Sequence, residues 1–299
     1  MTIGRPKKAI LEAVARYRYL DAAQLAHLLF SPKSLSYVRN HCMEMFHAGY
    51  LARLYLPRTT PTGSSKAIYA LDAKGYRYLL RADSEGLAMR PSGRFRPSED
   101  AQREMPFLEH LLESNNLLIS AERLARRQDD VILAGIRTEK EMRRDPIRVE
   151  IAVPRKRPLD GREKGEKVAV IPDGWVDLRY RGAQQCIAFE LDHRSTQAID
   201  VIQRKIYGYL AAFEGGYQEK FGTKSITVAF VVRGSPWSRV ERLRAWTEEA
   251  LTFKGKRDYA DLFRFSSFDT LATDPAQVFF SPMWFGPFST SGTPLLEGE

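Results

Sequence analysis

Cysteine is nearly absent: Cys42 and Cys186 are the only two in 299 residues. They stand far apart in sequence, without metal-ligand spacing and among apolar neighbours. This argues for two core thiols over a disulfide or a cysteine-bound metal. Long apolar runs are missing too, since ITVAFVV (Ile226 to Val232) falls far short of the roughly 18 residues of a membrane helix. The opening MTIGRPKKAI is basic but has no apolar stretch behind it, unlike a signal peptide. A cytoplasmic location with no membrane partner is the expectation. Internal repeats and coiled-coil heptads are also lacking, so neither a solenoid nor a zipper interface is expected.

Net charge is absent from most of the chain. Residues 82–299 hold 33 bases against 33 acids, whereas residues 1–81 carry thirteen Lys or Arg and four Asp or Glu. The whole formal charge of +9 is therefore N-terminal. Such asymmetry suggests a polyanion-binding module joined to a neutral one, and the length suits two domains.

In the basic module, Ile10, Leu11, Val14 and Tyr17 share one helical face, and Asp21 is placed to cap a second helix carrying Leu25, Leu28 and Leu29. A third helix opens near Pro32 and Ser34, repeats its apolar positions at Leu35, Val38, Cys42 and Met45, and stops at Gly49. Two strand-like runs, YLARLYLP and KAIYALD, follow around the turn-rich RTTPTGSS. Three short helices and a hairpin predict a winged helix-turn-helix over residues 1–81. The third helix has a polar face of Ser36, Tyr37, Arg39, Asn40 and Met43, and Arg and Asn suit guanine and adenine edges in a major groove. Arg53, Arg58 and Lys66 on the hairpin are candidate phosphate or minor-groove contacts. The expected partner is double-stranded DNA, against the simpler possibilities that these are solvated polar positions or that the winged helix mediates protein contacts.

Residues 82–104, with two prolines and no sustained period, read as a linker. PRKRPLDGREKGEK (Pro154 to Lys167) reads as a long hairpin loop. The remainder, residues 105–299, opens on a long helix that Ser114 to Asn116 are expected to bend. Strand-like VILAGIR, VAVIPDGWVDLRY and QQCIAFELD come next, then a helix over Thr196 to Phe213, the buried strand SITVAFVVR, a further helix and a last strand in DLFRFSSF. The order predicts a mixed α/β domain with a helix-layered sheet.

Within it, Asp173 and Glu190 are acids where strand interiors are ordinarily apolar, and isolated buried carboxylates are costly unless paired or metal-bound. Glu190 and Asp192, two residues apart, face one side of a strand. The plain alternative is a salt-bridge network of Asp173, Glu190 and Asp192 with Arg179, Arg194 and Lys205. Glu109 and Glu113, a helical turn apart, are better read as a solvated pair than as further ligands.

These residues resemble the PD-(D/E)xK nuclease superfamily: Pro172-Asp173 matches the first half of its motif and Glu190-Leu191-Asp192 the second. Asp192 stands where the superfamily's lysine is usual, and Lys205, on the following helix, is the natural substitute. Gln203 and Tyr207 match a Q-x-x-x-Y pattern of some nuclease branches. The resemblance implies Asp173, Glu190 and Lys205 as catalytic residues, with Mg²⁺ (or Mn²⁺) held by Asp173, Glu190 and Asp192. Nearly full length, the chain is similar to the replication-relaxation family of plasmid and mobile-element proteins. That likeness rests on Glu109-His110-Leu111-Leu112, on IPD, on the E-x-D strand, on Lys205 and Tyr209 of a K-x-x-Y-like helix, and on the closing SPMWFGP. It implies a role in plasmid DNA replication or relaxation, to which the nuclease resemblance adds Mg-dependent nicking or cleavage by the second domain. The alternative is a silent nuclease fold serving as scaffold for a DNA-binding regulator. A two-fold DNA site would favour a homodimer.

Overall fold

The apolar spacing of the N-terminal stretch becomes α1 (Arg5–Tyr17), which buries Ile10, Leu11, Val14 and Tyr17. In this computed structural model, residues 2–56, 65–83, 105–153, 164–192, 198–234 and 237–297 are described. Two units are distinct, Met1–Arg123 and Leu124–Glu299.

In the first unit Asp21 caps α2 (Ala22–Leu29) through a capping box. Its Oδ1 accepts from Gln24 N at 2.8 Å, and Gln24 Oε1 accepts from Asp21 N at 3.0 Å. After a 3₁₀ turn at Pro32–Ser34, α3 (Leu35–His47) buries Val38, Cys42 and Met45. Gly49, at φ +75°, then adopts the left-handed conformation that ends the helix. The antiparallel hairpin of β2 (Leu51–Tyr55) and β3 (Ala67–Leu71) gains a third, two-residue strand that periodicity misses, β1 (Leu20–Asp21), paired with β3. A further helix, α4 (Ala73–Asp83), follows.

The long helix α5 (Met105–Arg127) is continuous through Ser114 to Asn116. Its polar trio is buried and bonded instead of being a break. Asn115 Nδ2 donates to the carbonyls of Tyr17 and Tyr19, at 3.1 and 2.9 Å, and Asn116 Oδ1 accepts from Gln24 Nε2 at 2.6 Å. Ser114 donates to the His110 carbonyl one turn back. Glu113 is buried, in contact with Asn116, and so is not the solvated partner that its spacing from Glu109 suggests. Leu108, Leu111 and Leu112 pack against Tyr19, Ile68 and Ala70, so this stretch of α5 completes the first unit's core.

The second unit is built on a seven-stranded sheet. Its strands are β4 (Val131–Thr138), β7 (Gly174–Tyr180), β8 (Ala183–Asp192), β9 (Thr227–Arg233), β10 (Phe263–Phe268), β11 (Trp284–Phe285) and β12 (Gly292–Thr293), which follow one another across the sheet in that order. The β8–β9 and β9–β10 pairs are parallel and the others antiparallel, a mixed sheet. A separate hairpin of β5 (Ile147–Val153) and β6 (Lys164–Val170) packs against α7 (Ile199–Glu214); residues 154–163 of the expected loop lie outside the described residues. VAVIPDGWVDLRY, read as one strand, is two. Pro172 offers no N–H to a ladder, so β6 ends at Val170 in one sheet and β7 starts at Gly174 in another. Short helices α6 (Glu139–Arg144), α8 (Gly216–Phe221) and α10 (Pro275–Phe280) were not legible from periodicity, whereas α9 (Trp237–Phe253) was.

Strand β8 sits centrally, buried from Cys186 to Asp192. On one face Cys186 and Ala188 join the core formed with Ile202 and Ile206 of α7 and Val240 and Leu243 of α9. The period of two continues that face into Glu190 and Asp192. Helix α7 lies close to β6 because Gly208 has no side chain: a Cβ there would stand 3.3 Å from Val170 Cγ2 and 3.6 Å from Val168 Cγ2. No helix among the described residues is long and apolar enough to cross a membrane. We expect Gly208→Leu to force α7 off β6 and to lower stability by about 1–3 kcal/mol, read as a reduced denaturant midpoint at unchanged m-value.

Candidate functional site

Register brings the acids together. Gly174 pairs with Phe189 across the antiparallel β7–β8 ladder, which sets Asp173 against Glu190 at the strand end. Asp173 lies in the break before β7, not within the strand as expected. Its backbone N donates to the Phe189 carbonyl at 2.9 Å, and its Oδ2 accepts from Leu191 N at 2.7 Å. The side chain thus substitutes for a strand carbonyl where Pro172 has broken the run.

Glu190 is buried and fully engaged. Lys205 Nζ lies 2.5 Å from Oε2, and Tyr209 OH donates to Oε1 at 2.5 Å. Lys205 and Tyr209 are one turn apart on α7, so a single helical face supplies both partners. Arg204, next to Lys205 in sequence, instead meets Glu166 at 3.1 Å. Burial pushes the Glu190 carboxyl above the usual carboxylate range; Lys205 opposes that and the nearby Asp173 charge adds to it. Burial disfavours the Lys205 ammonium, yet Glu190 and Asp173 together outweigh it and hold the lysine above its ordinary value. Burial, then Glu190, raises Tyr209, keeping its phenol a donor.

Asp192 faces the same side but is held separately. Arg239 of α9 reaches its two oxygens, Nε to Oδ2 at 2.5 Å and Nη2 to Oδ1 at 3.3 Å, with the guanidinium 5.2 Å from the Trp246 ring centre. No sequence signal pointed to Arg239, which lies 47 residues further on. Of the cations expected in a salt-bridge network, Lys205 is present, Arg179 is exposed toward the other end of β7, and Arg194 lies outside the described residues. Tyr207 is buried with Lys254 over its ring, and does not share Tyr209's contact with Glu190.

In the first unit, Ser36, Tyr37, Arg39 and Asn40 are all exposed along α3 while Val38 between them is buried. Tyr37 is braced edge-on by Phe30 and His41, with ring centres 5.6 and 4.3 Å away. Arg53 of β2 lies over the rings of Phe46 and Tyr55. Lys66 is paired to Asp21 Oδ2 at 2.5 Å, a contact that sequence spacing did not suggest. Arg58 lies outside the described residues.

Residues 11–228 match the model of a family described as replication-relaxation. The chain belongs to the replication-relaxation family. The match runs from α1 into β9 and takes in Asp173, Glu190, Lys205 and Tyr209, while Arg239 and the SPMWFGP segment lie beyond it. Neither a curated protein nor a solved structure matches this replication-relaxation protein.

The ion pair has a pH signature. A carboxyl whose folded pKa is raised contributes stability that is present below its unfolded value, 4.5, and lost as pH rises through the folded value. Removing the ammonium raises that folded pKa further. Lys205→Met is therefore expected to cost more at pH 8 than at pH 5, by up to about 3 kcal/mol, in urea unfolding with chelator present. An equal cost at both pH values would show that Glu190 does not depend on Lys205 for its charge.

Proposed function

We propose that this replication-relaxation protein binds double-stranded DNA through a winged helix in its first unit and nicks or cleaves DNA with Mg²⁺ (or Mn²⁺) through a PD-(D/E)xK-like second unit, acting on plasmid or mobile-element DNA. One observation carries the catalytic half: Lys205, from the helix after the strand, meets Glu190 at 2.5 Å where Asp173 caps the same strand end. That is the set of groups phosphodiester chemistry needs, two carboxylates and a cation, and it is supplied from three consecutive elements. The DNA-binding half is supported by the exposed Ser36, Tyr37, Arg39 and Asn40 beside the hairpin that carries Arg53 and Lys66.

The reading puts a divalent cation at Asp173 and Glu190, which register sets against each other at the strand end. The charge on Asp173 already pushes the Glu190 carboxyl upward, a like-charge strain that a dication relieves. Asp192 would join them only by leaving Arg239. When bound, the metal supplies an acidified water and compensation for charge on the phosphoryl group. Lys205 neutralises Glu190 and adds positive charge beside the phosphate, while Tyr209 fixes the carboxylate's rotamer. The second reading, a silent nuclease fold acting as scaffold, is favoured by the bidentate Arg239–Asp192 pair and by the engagement of both Glu190 oxygens.

A supercoiled-plasmid assay with Mg²⁺ or Mn²⁺ separates the two. Wild type is expected to yield nicked circles, and Asp173→Ala or Glu190→Ala to reduce the rate by about a hundredfold or more. If wild type leaves the plasmid intact with either metal while still shifting duplex DNA, the scaffold reading holds. For the first unit, Arg39→Ala should cost about 1–3 kcal/mol on a preferred site and less on random duplex, by fluorescence anisotropy. Equal losses would make Arg39 a phosphate contact.

A further inference from the structure

The first unit contains a cavity of about 510 Å³ between α2, α3 and the β2–β3 hairpin, lined among others by Asp21, Arg39, Met43, Arg53, Lys66 and Tyr69. That volume lies within the range of small-molecule sites, roughly 300–1,000 Å³. Its walls combine apolar and aromatic surface with three cations and one acid. The acid already has a cation beside it, since Asp21 Oδ1 caps α2 and Oδ2 pairs with Lys66. Two guanidinium groups are left over.

Arg53 is the more telling of the two. Its guanidinium lies 4.3 Å from the Phe46 ring centre and 5.0 Å from that of Tyr55, and Nη1 contacts the Met43 sulfur. Aromatic faces and a thioether are weak acceptors. Among the described residues, the buried Nε has no hydrogen-bond partner at all. With only rings and a thioether against it, the guanidinium that lines the cavity is one a strong anionic acceptor would complete. Arg39, exposed at the cavity's edge, adds a second planar fork, and paired guanidinium groups suit a phosphate monoester. Tyr69, Met43 and the neighbouring apolar wall offer contact area for a flat organic body.

We infer that this cavity binds a mononucleotide, with its phosphate held by Arg53 and Arg39 and its base against Met43 and Tyr69. This inference stands apart from the nuclease reading, because it uses no residue of the second unit. It shares Arg39 and Arg53 with the proposed DNA surface, so an occupied cavity would withdraw both cations from a duplex. The winged helix would then be nucleotide-responsive.

Calorimetric titration of the full chain with deoxyadenosine monophosphate tests this, with deoxyadenosine and inorganic phosphate as separate probes. The expected result is saturable binding of one mononucleotide per chain, and at least about tenfold weaker binding of either fragment. Arg53→Gln should weaken the mononucleotide by about tenfold or more, as should Arg39→Gln, whose exposed position leaves the fold intact. Asp173→Ala should leave it unchanged. No saturable binding, unchanged affinity in both arginine variants, or loss in Asp173→Ala instead would each overturn the assignment. Failure of duplex binding with mononucleotide binding retained would remove the DNA reading alone.

Discussion

A carboxylate at the end of a central strand must be neutralised or it does not stay ionised, and Glu190 is the point from which the second unit's arrangement follows. Its side chain is almost wholly buried, at 3% exposure, while Lys205 keeps 33%. The lysine therefore brings charge in from the solvent edge while its stem packs inside. To deliver it, α7 must turn the Lys205–Tyr209 face toward β8 and approach β6 closely, where Gly208 leaves space that a Cβ would crowd against Val170. Helix orientation, helix depth and local charge balance are thus one constraint.

The first unit is organised by a different polar device. Asn115 and Asn116 would normally weaken a helix interior, yet here they are saturated by the Tyr17 and Tyr19 carbonyls and by Gln24. Gln24 is also the residue that closes the Asp21 capping box. Three elements meet through this network, and Glu122 adds to it by accepting from Arg16 and Tyr17 at 2.9 and 2.7 Å. Buried networks of this kind are stable only when every member is satisfied, and they fix one arrangement of the chain in preference to its neighbours. The exposed α3 face and the cavity beside it are held in place by that arrangement.

Glu190 and Asp192 illustrate how similar motifs diverge. They share a strand face and lie two residues apart, so sequence spacing treats them as equivalent. One is bound by a lysine and a phenol, the other by a bidentate arginine. Lysine is a compact charge that gives way to a competing cation more readily than a forked guanidinium does. The two carboxylates are therefore held differently, Glu190 by two partners from one helical face and Asp192 by a single fork from another helix.

Local chemistry alone determined much of this protein. Apolar periods located α1 to α3, α7 and α9, turn residues located the hairpins, and the uneven charge marked the basic first unit, because each of these signals acts within a few residues. The tertiary structure decided what those signals leave open. It put Asp173 in a break at Pro172, gave Asp192 to Arg239, gave Lys66 to Asp21, and made the Ser114–Asn116 trio a buried bracket in a continuous helix. Each of these depends on which strand lies in register and which helix crosses above it. Partners chosen across tens of residues are selected by packing and by the cost of an unpaired buried group, and neither is written in the spacing of one segment.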